Sequence, residues 1–142
     1  MRKAIFEILE QTCELKTEKE RIEYLQQHAD NSVLRDVLAG TFHHGVTWLL
    51  PPGKPPYRPA DPVNAEGFLY HQVRKFYLFA EGQSPENLSN VRRETIFIEM
   101  LESVHPKDAE ILIAMKDKKP PYKAITRTLV QKAFPGLINE TN

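Results

Sequence analysis

The sequence predicts an all-α fold, a single compact bundle of six or seven helices with a long proline-rich ordered loop. Apolar residues recur at intervals of three and four along most of the chain, which is typical of amphipathic helices. The 142 residues are enough to bury one core without disulfides or a metal. We therefore expect one helical domain over residues 1–142, crossed by the loop at 43–64 and ending in a frayed tail at 137–142.

The first third of the chain predicts three helices. The first is expected over residues 3–15. Thr17, followed three positions later by Glu20, matches a capping box and predicts the start of the second helix. Asp30 or Asn31 can cap the third. The residues expected to face inward are Ile5, Ile8, Leu9 and Thr12 in the first helix, Ile22, Leu25 and Ala29 in the second, and Val33, Leu34, Val37, Leu38 and Phe42 in the third.

The second half of the chain continues this pattern after the loop. A fourth helix is expected over residues 65–80, and the next begins at Ser84 or Ser89. Pro106 begins another, since proline is well tolerated at the first helical position. Residues 94–99 alternate enough to suggest a strand as the competing alternative. The residues expected to face inward are Phe68, Leu69, Val73, Phe76, Tyr77 and Ala80, then Val91, Phe97, Ile98 and Leu101, then Ile111, Leu112 and Met115, and finally Ala124, Ile125, Leu129, Ala133 and Phe134.

A five-residue motif occurs twice, as Lys54-Pro55-Pro56-Tyr57-Arg58 and as Lys119-Pro120-Pro121-Tyr122-Lys123. We call these the first and second KPPY motifs. Two adjacent prolines fix φ and favour an extended turn, so each motif presents a ring and its flanking cations in few directions. Such a motif suits a loop that binds an anion or a protein, and the two copies could share one site. Alternatively, each copy ends one helix and begins the next.

Several cations and rings could bind a phosphate group. From residue 107 to 132 there are seven basic and three acidic residues. Lys123 and Arg127, one turn apart in the expected last helix, would share a face and grip one phosphate. The candidate ligand-binding residues are Lys54, Tyr57, Arg58, Arg74, Arg92, Arg93, Lys119, Tyr122, Lys123 and Arg127, and the candidate partner-binding residues are Trp48, Pro55 and Pro56. The alternative is that these cations belong to ordinary solvated helix faces.

Composition and motif searches narrow the function classes. Nineteen basic and nineteen acidic side chains give no net charge, which disfavours bulk nucleic-acid binding. The histidines His43, His44 and His71 lack metal-ligand spacing, and hydrolase, P-loop and Rossmann motifs are missing from the sequence. Cys13 is the single cysteine, and we expect it to be a small core residue. We therefore expect a non-enzymatic protein without metal or cofactor and, since no apolar run approaches ~20 residues, without a membrane span.

Short stretches, mostly after residue 45, carry a resemblance to a known group of proteins. They are Trp48-Leu49-Leu50-Pro51, Lys54-Pro55-Pro56-Tyr57, Glu66-Gly67, Leu69-Tyr70, Tyr77-Leu78-Phe79, Arg92-Arg93-Glu94, Leu101-Glu102-Ser103, Asp108-Ala109, Ala114-Met115-Lys116-Asp117-Lys118-Lys119 and Ala133-Phe134-Pro135-Gly136-Leu137. Through them, about two thirds of the chain resembles an uncharacterised family of small proteins encoded by T4-like myoviruses of marine bacteria and cyanobacteria. The resemblance implies a phage protein in the host cytoplasm during infection or in the virion, and it implies no activity or functional residue.

We therefore expect a phage accessory protein that binds a compact phosphate-bearing ligand, such as a nucleotide or a cyclic dinucleotide signal of host defence. A few well-placed cations and rings suffice for such a ligand, whereas binding to a duplex relies on many phosphate contacts. The alternative is a protein-interaction adaptor or minor virion component that binds a host or phage protein complex through Trp48 and the proline surface. Self-association is compatible with the sequence.

Overall fold

Helices make up most of the chain that the computed structural model describes, which is residues 3–65 and 69–138. In chain order they are α1 (Ile5–Glu14), α2 (Glu18–Gln26), α3 (Ser32–Phe42), α4 (Pro62–Ala65), α5 (Leu69–Gln72), a 3₁₀ helix (Val73–Phe79), α6 (Asn90–Ser103), α7 (Pro106–Lys116) and α8 (Arg127–Ala133). The all-α prediction is confirmed, and residues 94–99 lie within α6 rather than in a strand. None of the helices in the described ranges is long and apolar enough to cross a membrane.

Side-chain caps set most of the helix starts. The Thr17 hydroxyl accepts from the Glu20 N–H at 3.1 Å, and the Glu20 carboxylate accepts from the Thr17 N–H at 3.3 Å, which completes the predicted capping box. Asn31 caps α3 and Ser89 caps α6, each accepting from the N–H three positions later. Pro106 opens α7, as predicted. These starts were therefore readable from local sequence alone.

The core is organised around α7. It packs against α1, α3 and α6, while α2 packs against α8 on another side. Leu38, Leu101 and Leu112, from three of these helices, are fully buried. Asp108 in the first turn of α7 is also fully buried, and its carboxylate accepts from the Phe6 N–H at 3.0 Å. This bond fixes the start of α1 against the start of α7.

The helix predicted over residues 65–80 is not continuous. α5 passes directly into the 3₁₀ helix, which has three residues per turn instead of 3.6. Phe76 and Phe79, three residues apart, are therefore the buried pair. Tyr77, predicted to face inward, turns outward and is 49% exposed. Phe68 lies outside the described residues.

Other boundaries also differ from prediction. Pro62 opens α4 inside the segment predicted as loop, because the first position of a helix accommodates proline. α2 ends at Gln26, so Ala29 lies beyond it and is exposed. Val91, in the first turn of α6, is 75% exposed. Ile138 is buried, so the chain packs on the core beyond residue 137, where fraying was predicted.

Trp48 fixes the loop after α3 across the bundle. Its indole N–H donates to the Gly40 carbonyl at 2.9 Å, and its ring meets Phe76 edge-on with centroids 6.3 Å apart. The Leu49 N–H donates to the Phe79 carbonyl at 2.6 Å, and Trp48 forms an isolated antiparallel bridge with Ala80. The loop is thus attached both to α3 and to the 3₁₀ helix.

We predict that Gly40→Ala destabilises the protein. A Cβ atom at Gly40 would lie 2.7 Å from the Trp48 ring and 2.9 Å from the Met115 sulfur. Alanine is normally better than glycine in a helix by ~1 kcal/mol, but overpacking here should lower the free energy of unfolding by ~1–3 kcal/mol. Urea unfolding followed by Trp48 fluorescence measures the change, with Arg35→Ala on the exposed side of α3 as the control. A stabilised Gly40→Ala variant would contradict the close approach of Trp48.

Candidate functional site

The candidate cations lie on several separate elements. Lys54 and Arg58 are in the loop before α4, and Arg74 is in the 3₁₀ helix. Lys119 and Lys123 lie between α7 and α8 and are exposed. The remaining three are Arg92 and Arg93 in α6 and Arg127 at the start of α8. Their individual contacts decide which of them are available to a ligand.

Arg93 serves the fold. Its side chain is buried, and its guanidinium donates to the carbonyls of Leu78 and Leu88, to the Ser84 hydroxyl and, at 2.6 Å, to the Asn90 amide oxygen. Each guanidinium nitrogen is therefore engaged: Nε and Nη2 join α6 to the segment that precedes it, and Nη1 bonds within the first turn of α6. We remove Arg93 from the candidate ligand-binding residues, whereas its neighbour Arg92 is exposed.

A second group of cations binds the C-terminal carbonyls of α3. The Lys118 ammonium donates to Gly40 and His43 at 2.8 and 2.7 Å, and the Arg127 guanidinium donates to Phe42 and lies over its ring. The last carbonyls of a helix lack helical partners and form the negative end of its dipole. We call Trp48, Lys118 and Arg127, together with these carbonyls, the α3 C-terminal cluster.

The predicted pairing of Lys123 with Arg127 on one helical face is wrong. Thr126 caps α8 by accepting from the Leu129 N–H at 3.1 Å, so the helix begins at Arg127. Lys123 precedes the helix in a turn and is exposed, while Arg127 is directed to α3. The four-residue spacing therefore does not place these two cations on one helical face.

The two KPPY motifs have different neighbours. In the second, the Tyr122 hydroxyl donates to the Glu10 carboxylate of α1 at 3.2 Å. Burial, and secondarily the negative charge of Glu10, raises the Tyr122 pKa well above its usual value. In the first, the backbone N–H of Arg58 donates to the Glu102 carboxylate of α6 at 2.9 Å. The Lys54 ammonium lies 5.7 Å from the centroid of the Tyr57 ring. These contacts do not support the hypothesis of one shared site, and they place a carboxylate beside each motif.

The first KPPY motif forms one wall of a groove of about 250 Å³. Residues 50–56 line one side, and Phe97 and Ile98 of α6 line the other. Glu94 and Lys116 add two charged residues. We call this feature the proline groove; it contains Pro55 and Pro56, two of the three candidate partner-binding residues.

Lys116 holds the proline segment in place. Only 2% of its side chain is exposed, and its ammonium donates to the Pro51 and Gly53 carbonyls at 2.9 and 2.7 Å and to the Asp117 carboxylate at 2.7 Å. All three N–H bonds are thereby used. Sequence reasoning missed Lys116, although its position four residues after the buried Leu112 places it on the inner side of α7.

The described residues give no sign of metal or thiol chemistry. Among them, no group of three or more His, Cys, Asp or Glu side chains is placed to hold a metal ion. Cys13 is partly buried, and burial is the main cause that raises its pKa. A raised pKa keeps the thiol protonated, which is the opposite of what a nucleophile requires.

Comparison with known proteins identifies the family. The sequence model described as a family of unknown function, DUF6433, matches residues 8–120. This range covers most of the chain, from α1 to the second KPPY motif, so the protein belongs to that family. The curated proteins contain no match.

We predict that Lys116→Met loosens the proline segment. The change leaves the Pro51 and Gly53 carbonyls without the Lys116 donor and removes the ion pair with Asp117, which keeps its hydrogen bond from the Gly53 N–H. The free energy of unfolding should therefore fall by ~1–3 kcal/mol. Amide hydrogen exchange at Gly53, Lys54, Tyr57 and Arg58, the residues of this segment that carry an N–H, should accelerate. Lys119→Met, which removes an exposed lysine, is the control and should change stability by less than ~0.5 kcal/mol. Unchanged exchange in Lys116→Met would contradict the role of Lys116.

We also predict that Lys118 makes stability increase with pH. Burial, and secondarily the charge of Arg127, lowers the Lys118 pKa to about 8 from the ordinary 10.5. Between these values the unfolded chain binds more protons than the folded one, so the contribution of Lys118 to the free energy of unfolding rises with pH. Urea unfolding of wild type and Lys118→Met across this window should show a difference that grows with pH. A difference that stays constant with pH would refute the assignment.

Proposed function

We propose that this protein is a non-enzymatic phage accessory protein that binds a host or phage protein through the proline groove. The observation that carries the proposal is the groove itself, an apolar cleft whose proline wall is fixed by Lys116. A surface that is rigid before binding loses little conformational entropy when a partner docks, and this favours affinity. The phage context rests on the family resemblance carried by residues 48–51 and 54–57 and the stretches after them.

The chemistry of the groove favours a polypeptide over a phosphate-bearing ligand. The walls are mainly proline, phenylalanine and isoleucine side chains, and Glu94 adds a negative charge that would repel phosphate. The Lys116 ammonium is already engaged with three oxygen acceptors. Elsewhere, Arg93 and Arg127 donate to backbone carbonyls, so the predicted nucleotide or cyclic dinucleotide site has less support.

The expected occupant is a partner segment with one apolar anchor side chain and an adjacent basic residue. The anchor would enter between the prolines and Ile98, where burial of apolar area supplies most of the affinity. The basic residue would pair with Glu94, which makes no ion pair among the described residues. Val91 lies seven positions before Ile98 on the same side of α6 and is exposed, so it extends the apolar surface beyond the groove.

Photo-crosslinking tests this proposal. A benzophenone amino acid at Val91 reports on the groove surface, and the same amino acid at Val63, an exposed valine in α4 outside the groove lining, is the matched control. In infected cells the Val91 probe should yield one discrete protein adduct that the Val63 probe does not yield. Combining the Val91 probe with Ile98→Glu should abolish the adduct, since a charge would replace an apolar wall.

Reconstitution with the identified protein then separates the candidate functions. Ile98→Glu should weaken binding at least ~10-fold, while circular dichroism and thermal unfolding remain those of the parent. Equal adducts from both probes, or an adduct that survives Ile98→Glu, would show that the proline groove is not the binding site. If the purified protein instead releases a nucleotide that is lost in the Lys119→Ala, Lys123→Ala double variant, which removes two exposed cations, the phosphate-bearing ligand is the better function.

A further inference from the structure

A second cavity, of about 270 Å³, opens between α3 and the 3₁₀ helix. Its lining residues include the aromatic residues Trp48, Phe76 and Tyr77 and the polar residues Asp36 and Gln83. It shares no lining residue with the proline groove. We call it the aromatic pocket.

Local structure explains how these side chains meet. Asp36 and Gly40 lie four residues apart on one face of α3. Because Gly40 has no side chain, the Trp48 ring can lie against the helix there, and its indole N–H donates to the Gly40 carbonyl. Phe76 meets Trp48 at an interplanar angle of 85°, and the 3₁₀ register turns Tyr77 outward beside it. The pocket therefore has aromatic walls in two orientations.

The polar side chains of the pocket are exposed to solvent. Among the described residues, the side chains of Asp36, Tyr77 and Gln83 make no hydrogen bond or ion pair. Burial is the largest influence on Asp36 and raises its pKa, while the charge of Arg35 acts in the opposite direction. Because Asp36 has no ion pair among the described residues, its carboxylate is available to an incoming cation.

We propose that the aromatic pocket binds the guanidinium group of an arginine side chain from a polypeptide. A guanidinium is planar and weakly hydrated, so it stacks on aromatic faces while its N–H groups form two parallel bonds to one carboxylate. The Asp36 carboxylate supplies the charge and the Gln83 amide oxygen supplies a further acceptor. A phosphate would be repelled by Asp36, and an uncharged apolar group would cover that carboxylate without pairing with it.

Titration with blocked amino acids tests the pocket directly, with Nα-acetyl-arginine methylamide as the probe and the citrulline derivative as its neutral isostere. Trp48 is the single tryptophan, so its indole N–H resonance and its fluorescence report on this site. We expect saturable shifts with arginine, at least ~10-fold weaker binding of citrulline, and weaker binding of the lysine derivative, which lacks the planar fork.

Variants distinguish the pocket from the rest of the protein. Asp36→Asn keeps the shape of the exposed side chain, removes its charge and should weaken arginine binding at least ~10-fold. Asp30→Asn, a like change at an exposed aspartate outside the pocket lining, should have no effect. Ile98→Glu should also leave arginine binding unchanged, so failure of the proline groove and failure of this pocket are separable. Equal binding of arginine and citrulline, equal binding of lysine, or full binding by Asp36→Asn would overturn the proposal.

Discussion

The C-terminus of α3 is the point on which the rest of the structure depends. Its last carbonyls accept hydrogen bonds from Trp48 in the following loop, from Lys118 after α7 and from Arg127 at the start of α8. Helix ends leave such acceptors unsatisfied, and a cation there also offsets the helix dipole. One set of carbonyls thus fixes three segments that are distant in sequence. Both candidate sites are built on the loop that begins at this junction.

Lys118 adopts an unusual backbone conformation at this junction. Its φ is 59°, in the left-handed region that glycine usually occupies after a helix, and costs a lysine roughly 1 kcal/mol. The N–H groups of Lys118 and Lys119 donate to Met115 and Ala114, which closes α7 in a Schellman-like turn. The bonds from the Lys118 ammonium to α3 offset that cost. The chain reverses at this turn, so the second KPPY motif begins where α7 ends, in agreement with the helix-ending interpretation of that motif.

The sequence predicted what local chemistry decides. Thr17, Asn31, Ser89 and Pro106 begin helices because cap side chains and proline act within a few residues, and a spacing of three and four identified most of the core. The sequence did not predict the 3₁₀ helix that exposes Tyr77. The apolar spacing in this segment is compatible with both an α-helix and a 3₁₀ helix, so it cannot distinguish 3.6 from three residues per turn.

The roles of the cations were the least predictable part of the candidate site. A lysine or arginine carries a long apolar stem, so the same residue type suits a solvated helix face or a buried contact with a carbonyl. Lys116 and Arg93 proved to be buried only because acceptors from distant segments, Pro51 and Leu78 among them, converge on them. Acceptors of this kind are backbone oxygens, which every residue carries, and they therefore leave no signal in the sequence.

Net charge counts every lysine and arginine, including those whose N–H groups are engaged inside the fold and are not available to a ligand. Arg93, Lys116, Lys118 and Arg127 direct their N–H groups to backbone carbonyls or to groups inside the fold, whereas Asp108 is the buried acid among the described residues. These four cations are thus engaged within the fold. Glu94 in the proline groove and Asp36 in the aromatic pocket are carboxylates on two different surfaces. The occupants proposed for the two surfaces therefore both carry a basic side chain, and a phosphate would meet a carboxylate on either surface.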